Sequence, residues 1–202
     1  DYNSPKESIK KAPTPFTTST LQQYSSNEFK LSPKATMKAC QTLYEGGFIT
    51  YMRTDSTTYS EEFIEKMKKY IEKSYSNEYV RTDIQQLCLR NDKDTNTQEA
   101  HEAIRPTNIE LENVSKELGN NEYRVYRLIR RNTLESCMPP AKYSVIKAYI
   151  SAPEELKYDY TAEQVMFPGW QIVNGYEKIC EIYAYFKTLK IKSSVDYKKV
   201  TS

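Results

Sequence analysis

The sequence predicts an α+β protein in which a helical part precedes a β-rich part. Up to about residue 137, apolar side chains recur at intervals of three and four residues, as on one face of a helix. Pro139 and Pro140 then end the last predicted helix, and beyond them apolar and polar residues alternate as in strands. At 202 residues the chain is long enough for one domain of good size or two small ones.

The first two predicted helices are marked by their capping residues. Ser19 is the predicted N-cap of a short helix with the sequence TLQQYSSNEF. Ser32 caps the second helix, Pro33 occupies its first position, and Gly46 with Gly47 ends it. Met37, Cys40 and Tyr44 recur at helical spacing along the second helix.

Two further predicted helices each carry a basic outer face. One follows Ser60 and has Glu61 and Glu62 in its first turn, where the helix dipole favours negative charge, and the other runs from about 121 to 137. The basic residues are Lys66, Lys68, Lys69 and Lys73 on the first and Arg124, Arg127, Arg130 and Arg131 on the second. We interpret both faces as solvated surfaces, and contact with a DNA backbone is the alternative.

The β-branched and aromatic residues of FITYM, residues 48–52, predict a strand directly after the second helix. The order of helix, turn and strand resembles a winged-helix DNA-binding module. Further strands are predicted in YSVIKAYI, YDYTAEQVMF and KICEIYAYF. The predicted segments are a linker or the end of a preceding segment at 1–14, a helical, winged-helix-like domain at 15–142 and part of a β-rich domain at 143–202.

Charge and composition exclude several classes of site. The net charge of +2 does not by itself predict a nucleic-acid partner. The four cysteines lie more than forty residues apart and there is one histidine, so no zinc site is predicted. NDKDTN lacks the glycine and glutamate of a calcium loop, and we predict no metal site in this chain. Without a signal peptide or an apolar run of about 18 residues, an intracellular protein is expected, and a start at Asp1 suggests a piece of a longer one.

The stretch GGFITYMRTDST places Tyr51, Arg53 and Asp55 at alternate positions, and therefore on one face of an extended segment. A phenol with an ordinary pKa near 10 is a poor nucleophile, and a neighbouring guanidinium stabilises the phenolate. Such a pair suits attack on a phosphodiester, because the arginine can hold the equatorial oxygens. The alternatives are a half-buried packing tyrosine, a salt bridge from Arg53 to Asp55 or elsewhere on the surface, and turn roles for residues 54–57.

A second cluster lies in QEAHEAIRPT, residues 98–107, which we expect to be a helix ended by Pro106. His101 can orient or protonate a phosphate, and Arg105, four residues later, can hold the same group. Glu102 offers a carboxylate partner. The alternative is a hydrogen-bonded structural histidine.

Four motifs, in this order and spacing, resemble the type IA DNA topoisomerases of the bacterial topoisomerase I kind. They are PFTTSTLQQ, LYEGGFITYMRTDST, QEAHEAIRPT and LESCMPPAKY. FPGW near Trp170 is similar to a motif in the β-rich domain that follows in that family. The resemblance covers the helical part densely and is far more specific than any one motif.

The resemblance implies that Tyr51 is the nucleophile that cuts one strand of DNA and becomes joined to its 5′ phosphate. It implies that Arg53 contacts the scissile phosphate and that His101 assists positioning or proton transfer. The catalytic residues would then be Tyr51, Arg53 and His101, and the DNA-binding residues Arg53, Asp55, Ser56, His101 and Arg105.

The resemblance also implies a domain that this chain does not contain. The family has an acidic Mg²⁺-binding domain with an Asp-x-Asp-x-Glu motif, and that motif does not occur here. We therefore expect this chain alone not to relax supercoils. The whole enzyme would act without ATP on single-stranded or negatively supercoiled DNA, in the cytoplasm at the nucleoid or in another intracellular compartment that contains DNA. The alternative is a noncatalytic winged-helix module that binds single-stranded DNA.

Overall fold

The computed structural model describes residues 4–88, 101–151, 155–176, 178–190 and 194, which belong to two units. The helical unit comprises the described residues of 11–140 and 169–174. The sheet unit comprises those of 1–10, 141–168 and 175–202. The predicted α+β class is confirmed, and the functional division at 14/15 and 142/143 stays a prediction.

The described part of the helical unit is built on four α-helices. They are Thr18–Phe29 (α1), Pro33–Glu45 (α2), Glu61–Ser74 (α3) and Asn120–Ser136 (α4). Short 3-10 turns lie at Asn77–Tyr79, Ile84–Leu87, Lys116–Leu118 and Gly169–Val173. Among the described residues, no helix has both the length and the apolar character needed to cross a bilayer.

The helix starts show which capping predictions hold. Ser32 caps α2 as predicted, because its side chain accepts a hydrogen bond from the Ala35 N–H at 3.2 Å. The cap predicted at Ser19 for α1 is wrong. Thr17 is the N-cap, since its side chain accepts from the Thr20 N–H while the Thr20 hydroxyl accepts from the Thr17 N–H.

Two clusters of buried side chains hold the helical unit together. The first packs α1, α2 and α4 around Leu21, Leu43 and Leu128. The second is centred on α3. Its buried α3 residues are Phe63, Ile64, Met67 and Ile71. Ala103 belongs to the second cluster and Ile104 to the first, so the segment that follows His101 is anchored in both.

The strand predicted at 48–52 is wrong. Ile49 forms only an isolated antiparallel bridge with Pro106, and the neighbouring Thr50 N–H donates to the Arg105 carbonyl at 2.9 Å. The Thr107 N–H donates to the Phe48 carbonyl at 3.0 Å on the other side of this bridge. The pairing goes no further, because the Arg105 N–H donates to the Thr50 hydroxyl and the Ala103 N–H donates to the Thr58 carbonyl. The segment is therefore extended but irregular.

The sheet unit contains an antiparallel sheet with the strand order β1-β2-β3. The strands are Lys6–Lys10 (β1), Ala141–Ser151 (β2) and Lys157–Phe167 (β3). Lys6 pairs with Val145, and Ser151 pairs with Lys157. No strand was predicted at β1, because this strand is short and polar apart from Ile9.

The strand predicted in KICEIYAYF is wrong, because Glu181–Thr188 forms a helix (α5). Its buried residues, Tyr183 and Phe186, are three apart and pack with Ile146 and Ala162 of the sheet. Tyr183 Oη also lies 2.6 Å from Ser144 Oγ. Packing at helical spacing therefore overrides the strand character of the local sequence.

Candidate active site

Tyr51, Arg53 and Asp55 form one exposed row on the extended segment of the helical unit. All three side chains are exposed, and that of Tyr51 is 40% accessible. The residues between them are buried, with Met52 at 1% and Thr54 at 8% exposure. The predicted alternation is therefore present without the regular strand that was expected to produce it.

The hydroxyl of Thr18, at the start of α1, holds this segment in place. It donates to the carbonyl oxygens of Met52 at 2.7 Å and Thr54 at 3.1 Å, and it accepts from the Thr54 N–H at 2.9 Å. The Thr18 N–H donates to the Thr54 carbonyl at 2.9 Å. These bonds fix the two inward residues, and thereby the side on which the exposed row lies.

Thr50 joins the exposed row to the segment that carries His101. Its hydroxyl donates to the Ala103 carbonyl at 2.9 Å and accepts from the Arg105 N–H at 3.0 Å. The Ile104 N–H donates to the Phe16 carbonyl at 2.9 Å. His101 is thus held beside the segment by backbone bonds to the residues that follow it.

The ring of Tyr51 contacts two other rings. Tyr44, in the last turn of α2, meets it edge-on with a centroid separation of 5.3 Å. His101 lies at 6.3 Å with the ring planes inclined by 42°. Tyr44 shares the helical spacing of Met37 and Cys40, but 42% of it is exposed. Helical spacing could not show this, because Tyr44 lies at the edge of the apolar face.

Arg53 and Asp55 do not pair with each other, which removes the salt bridge kept as an alternative. Neither side chain has a hydrogen bond or ion pair with any described residue. Ser56 is engaged in a turn, since its N–H donates to Thr54 Oγ1 at 3.0 Å and its hydroxyl lies 3.0 Å from Thr58 Oγ1. The guanidinium and the carboxylate of the row are therefore available to a ligand.

Arg105 is not part of the exposed row. Its Nε and Nη2 contact Glu102 Oε2 at 2.7 and 2.5 Å, and its guanidinium lies 4.0 Å from the ring centre of Phe63. Burial lowers the pKa of the Arg105 guanidinium, an effect that Glu102 opposes. The other carboxylate oxygen of Glu102 accepts from the Ser60 N–H at 2.7 Å. Glu102, which Arg105 holds in place, thus stabilises the start of α3 by accepting from the backbone N–H of its N-cap residue. A capping side chain usually stabilises a helix start.

The helix expected over 98–107 is not formed by its described residues. His101, Glu102 and Arg105 lie on an irregular segment with isolated bridges at Ile104 and Pro106. The backbone bonds of this segment go to Phe16 and Thr50, both distant in sequence, so local spacing could not predict them. Residues 98–100 of the motif, and NDKDTN at 91–96, lie outside the described residues.

The geometry shows what this site can do chemically. The Tyr51 phenol and the unpaired Arg53 guanidinium lie on the same exposed side, and the His101 imidazole lies beside the Tyr51 ring. Among the described residues, no group of three or more His, Cys, Asp or Glu side chains could hold a metal ion. The arrangement fits nucleophilic attack by a tyrosine on a phosphate ester. Thr18 and Tyr44 are the site neighbours that the sequence analysis missed.

Comparison with known proteins supplies the context for this geometry. A family model described as DNA topoisomerase matches residues 2–201. The chain is 41% identical over 197 residues to DNA topoisomerase 1 of Buchnera aphidicola, and the match covers 97% of this chain and 22% of that protein. It is 42% identical over 168 residues to the prokaryotic-type DNA topoisomerase 1 of Acanthamoeba polyphaga mimivirus, covering 79% and 19%.

A solved structure is also similar. The full-length topoisomerase I of Thermotoga maritima matches with a TM-score of 0.67 at 31% identity, over 88% of this chain and 30% of that one. The chain therefore spans less than a third of the proteins that it resembles.

Proposed function

Since this chain belongs to the type IA DNA topoisomerase family, we propose that it carries the tyrosine half of a site that cleaves and rejoins one DNA strand. The observation that carries the proposal is the exposed row, where Tyr51 and an unpaired Arg53 lie on the same side. The chain has 29 basic and 27 acidic residues, so this local arrangement, rather than bulk charge, must attract DNA.

In the proposed reaction, the Tyr51 hydroxyl attacks the phosphorus of a phosphodiester in line with the bond to the 3′ oxygen. The new bond joins Tyr51 Oη to phosphorus, and the bond from phosphorus to O3′ breaks. The phenolic proton is lost and the released 3′ oxygen gains one. Attack by that 3′ hydroxyl on the phosphotyrosine reverses each change, so rejoining the strand needs no ATP.

Arg53 and His101 act on the phosphate in this proposal. The planar guanidinium of Arg53 donates to the non-bridging oxygens and neutralises charge that develops in the transition state. His101, beside the Tyr51 ring, positions the phosphate or carries a proton to or from it. Asp55 and Ser56 continue the contact along the DNA. Arg105 acts as a positioning residue, because Glu102 and Phe63 already occupy its guanidinium.

The activity of the whole protein belongs to the same proposal. We infer ATP-independent relaxation of negatively supercoiled DNA, starting from a single-stranded region, in the cytoplasm at the nucleoid or in another intracellular compartment that contains DNA. Mg²⁺ would be held by an acidic domain outside this chain, and no step above passes through it. Residues of this chain supply the nucleophile and the phosphate contacts.

A covalent-trapping experiment tests the proposal. This chain replaces the matching segment of the Buchnera aphidicola enzyme, to which it is 41% identical. The chimera is incubated with Mg²⁺ and end-labelled single-stranded DNA and then denatured. We expect a covalent adduct that maps to Tyr51 and is absent from Tyr51→Phe. Tyr44→Phe is the matched control, because it removes the hydroxyl of the neighbouring ring.

The outcomes are distinct. An adduct that persists in Tyr51→Phe, or that maps to another tyrosine, contradicts the assignment of the nucleophile. If a folded chimera binds the oligonucleotide and forms no adduct, the noncatalytic DNA-binding module replaces the catalytic proposal.

A further inference from the structure

A groove of about 300 Å³ opens along the arginine face of α4 in the helical unit. It lies between the end of α1, residues 123–131 of α4, Glu112 and residues 173–174. Its lining includes four arginines, two aromatic rings and two glutamates. None of these residues belongs to the exposed row of Tyr51, Arg53 and Asp55.

Two of the arginines project into this groove with no carboxylate partner. Arg124 and Arg127 are exposed, lie one turn apart on α4 and form no ion pair with any described residue. The Arg124 guanidinium lies 5.9 Å from the ring centre of Phe29, and that of Arg127 lies 5.6 Å from the ring centre of Tyr123. Contact with a ring face leaves the N–H groups at the edge of each guanidinium free to donate.

The remaining charges make the groove basic overall. Arg131 is neutralised, because it pairs with Glu28. Arg130 donates to the Ile109 carbonyl at 3.0 Å and to the Tyr70 hydroxyl at 2.7 Å, so its partners are neutral. The other three arginines of the lining have no carboxylate partner, and Glu112 is the other carboxylate of the lining. Three positive charges therefore face one negative charge. The groove therefore favours an anion.

We propose that this arginine groove is a second contact site for single-stranded DNA, formed by Arg124 and Arg127 with the rings of Phe29 and Tyr123. Guanidinium forks donate to phosphate oxygens, and aromatic faces stack on bases of any sequence. The groove volume suits a nucleotide-sized group rather than a duplex. The choice of DNA over an acidic protein rests on the proposed function above, whereas the anion preference rests on the groove alone.

The test measures binding of a fluorescent oligothymidylate to the 202-residue chain by anisotropy over a series of salt concentrations. We expect Arg124→Gln/Arg127→Gln to raise Kd by roughly tenfold, because both guanidinium groups are exposed and water and salt weaken each contact. The slope of log K against log salt should fall by about 1.4 for two phosphate contacts on a single strand. Lys69→Gln/Lys73→Gln is the matched control, since it removes the same charge from exposed positions on α3.

The variants separate the possible results. Unchanged Kd and slope in the arginine variant overturn the proposal, and so does an equal loss in the lysine control. Equal affinity for a duplex of the same length overturns the assignment to single strands. Binding of an acidic peptide but not of the oligothymidylate makes the groove a protein-docking surface and overturns the proposal. Tyr51 does not line the groove. The arginine variant is therefore expected to bind the oligothymidylate more weakly even if covalent trapping at Tyr51 fails.

Discussion

Replacing Thr18 by valine should loosen the exposed row while leaving the overall fold in place. Valine keeps the β-branched shape and removes only the hydroxyl. That hydroxyl donates to the carbonyls of Met52 and Thr54 and accepts from the Thr54 N–H. The Thr54 carbonyl keeps its bond from the Thr18 backbone N–H at 2.9 Å. In the variant, the Thr54 N–H and the Met52 carbonyl therefore lose their hydrogen-bond partner at largely buried residues.

The size of the effect follows from these unpaired groups. An unsatisfied buried donor or acceptor costs about 1–3 kcal/mol. Thr18 is half-buried, so partial access of water places the expected loss near 2 kcal/mol. A free-energy change of that size corresponds to roughly a 30-fold change in a local opening equilibrium. Global stability should fall by no more than the same amount.

Native-state hydrogen exchange at the Thr54 amide measures this opening directly. We expect exchange to be roughly 30-fold faster in Thr18→Val and close to the wild-type rate in Thr18→Ser, which restores the hydroxyl. Thr57→Val, at an exposed threonine of the same segment, is the control and should leave the rate unchanged. Equal exchange rates in Thr18→Val and wild type would refute the role assigned to the hydroxyl.

Three further predictions concern stability. Burial raises the pKa of Glu135 to about 7 from an ordinary 4.5, so its contribution to stability is lost as pH rises towards 7. Glu135→Gln should remove a loss on the order of 3 kcal/mol, seen as a flatter unfolding free energy between pH 4.5 and about 7, and an unchanged pH dependence would contradict this. Gly169→Ala should destabilise by more than about 2 kcal/mol, because φ is +51° and a Cβ would meet carbonyl oxygens at 2.5 Å. Gly175→Ala, at φ +85° in open space, should cost about 1 kcal/mol, and equal melting shifts would count against the clash. Glu102→Gln should cost roughly 2–4 kcal/mol in urea unfolding by removing the carboxylate partner of a largely buried guanidinium, whereas Glu62→Gln, in an exposed pair, should change little.

Local signals were enough to predict the helices around the site. The Ser32–Pro33 pair placed the start of α2, and the apolar spacing from residue 121 placed α4 to within one residue. Both signals come from side chains that act within one or two turns of their own helix. The row of Tyr51, Arg53 and Asp55 could also be predicted from local sequence. Every second residue of such a segment points to the same side whether or not a partner strand is present.

Contacts between distant residues could not be predicted from the sequence. The bond from Thr18 to residues 52 and 54 joins positions more than thirty apart, and nothing local marks Thr18 among its neighbouring threonines. The expected strand did not form, because the N–H groups of Arg105 and Ala103 donate to the Thr50 hydroxyl and the Thr58 carbonyl instead of continuing a ladder. The α5 sequence has strand propensity, but burial of residues three apart against the sheet selects a helix.

The alternation of buried and exposed residues from Tyr51 to Asp55 also limits how this segment can change in evolution. Each outward residue can be replaced singly, because the inward Met52 and Thr54 hold the backbone. An insertion or deletion of one residue is different. It would turn the outward side chains towards the core and bring the inward ones to the surface. The length of this segment is thus inherited with the fold, while the chemistry of its outward positions is open to selection.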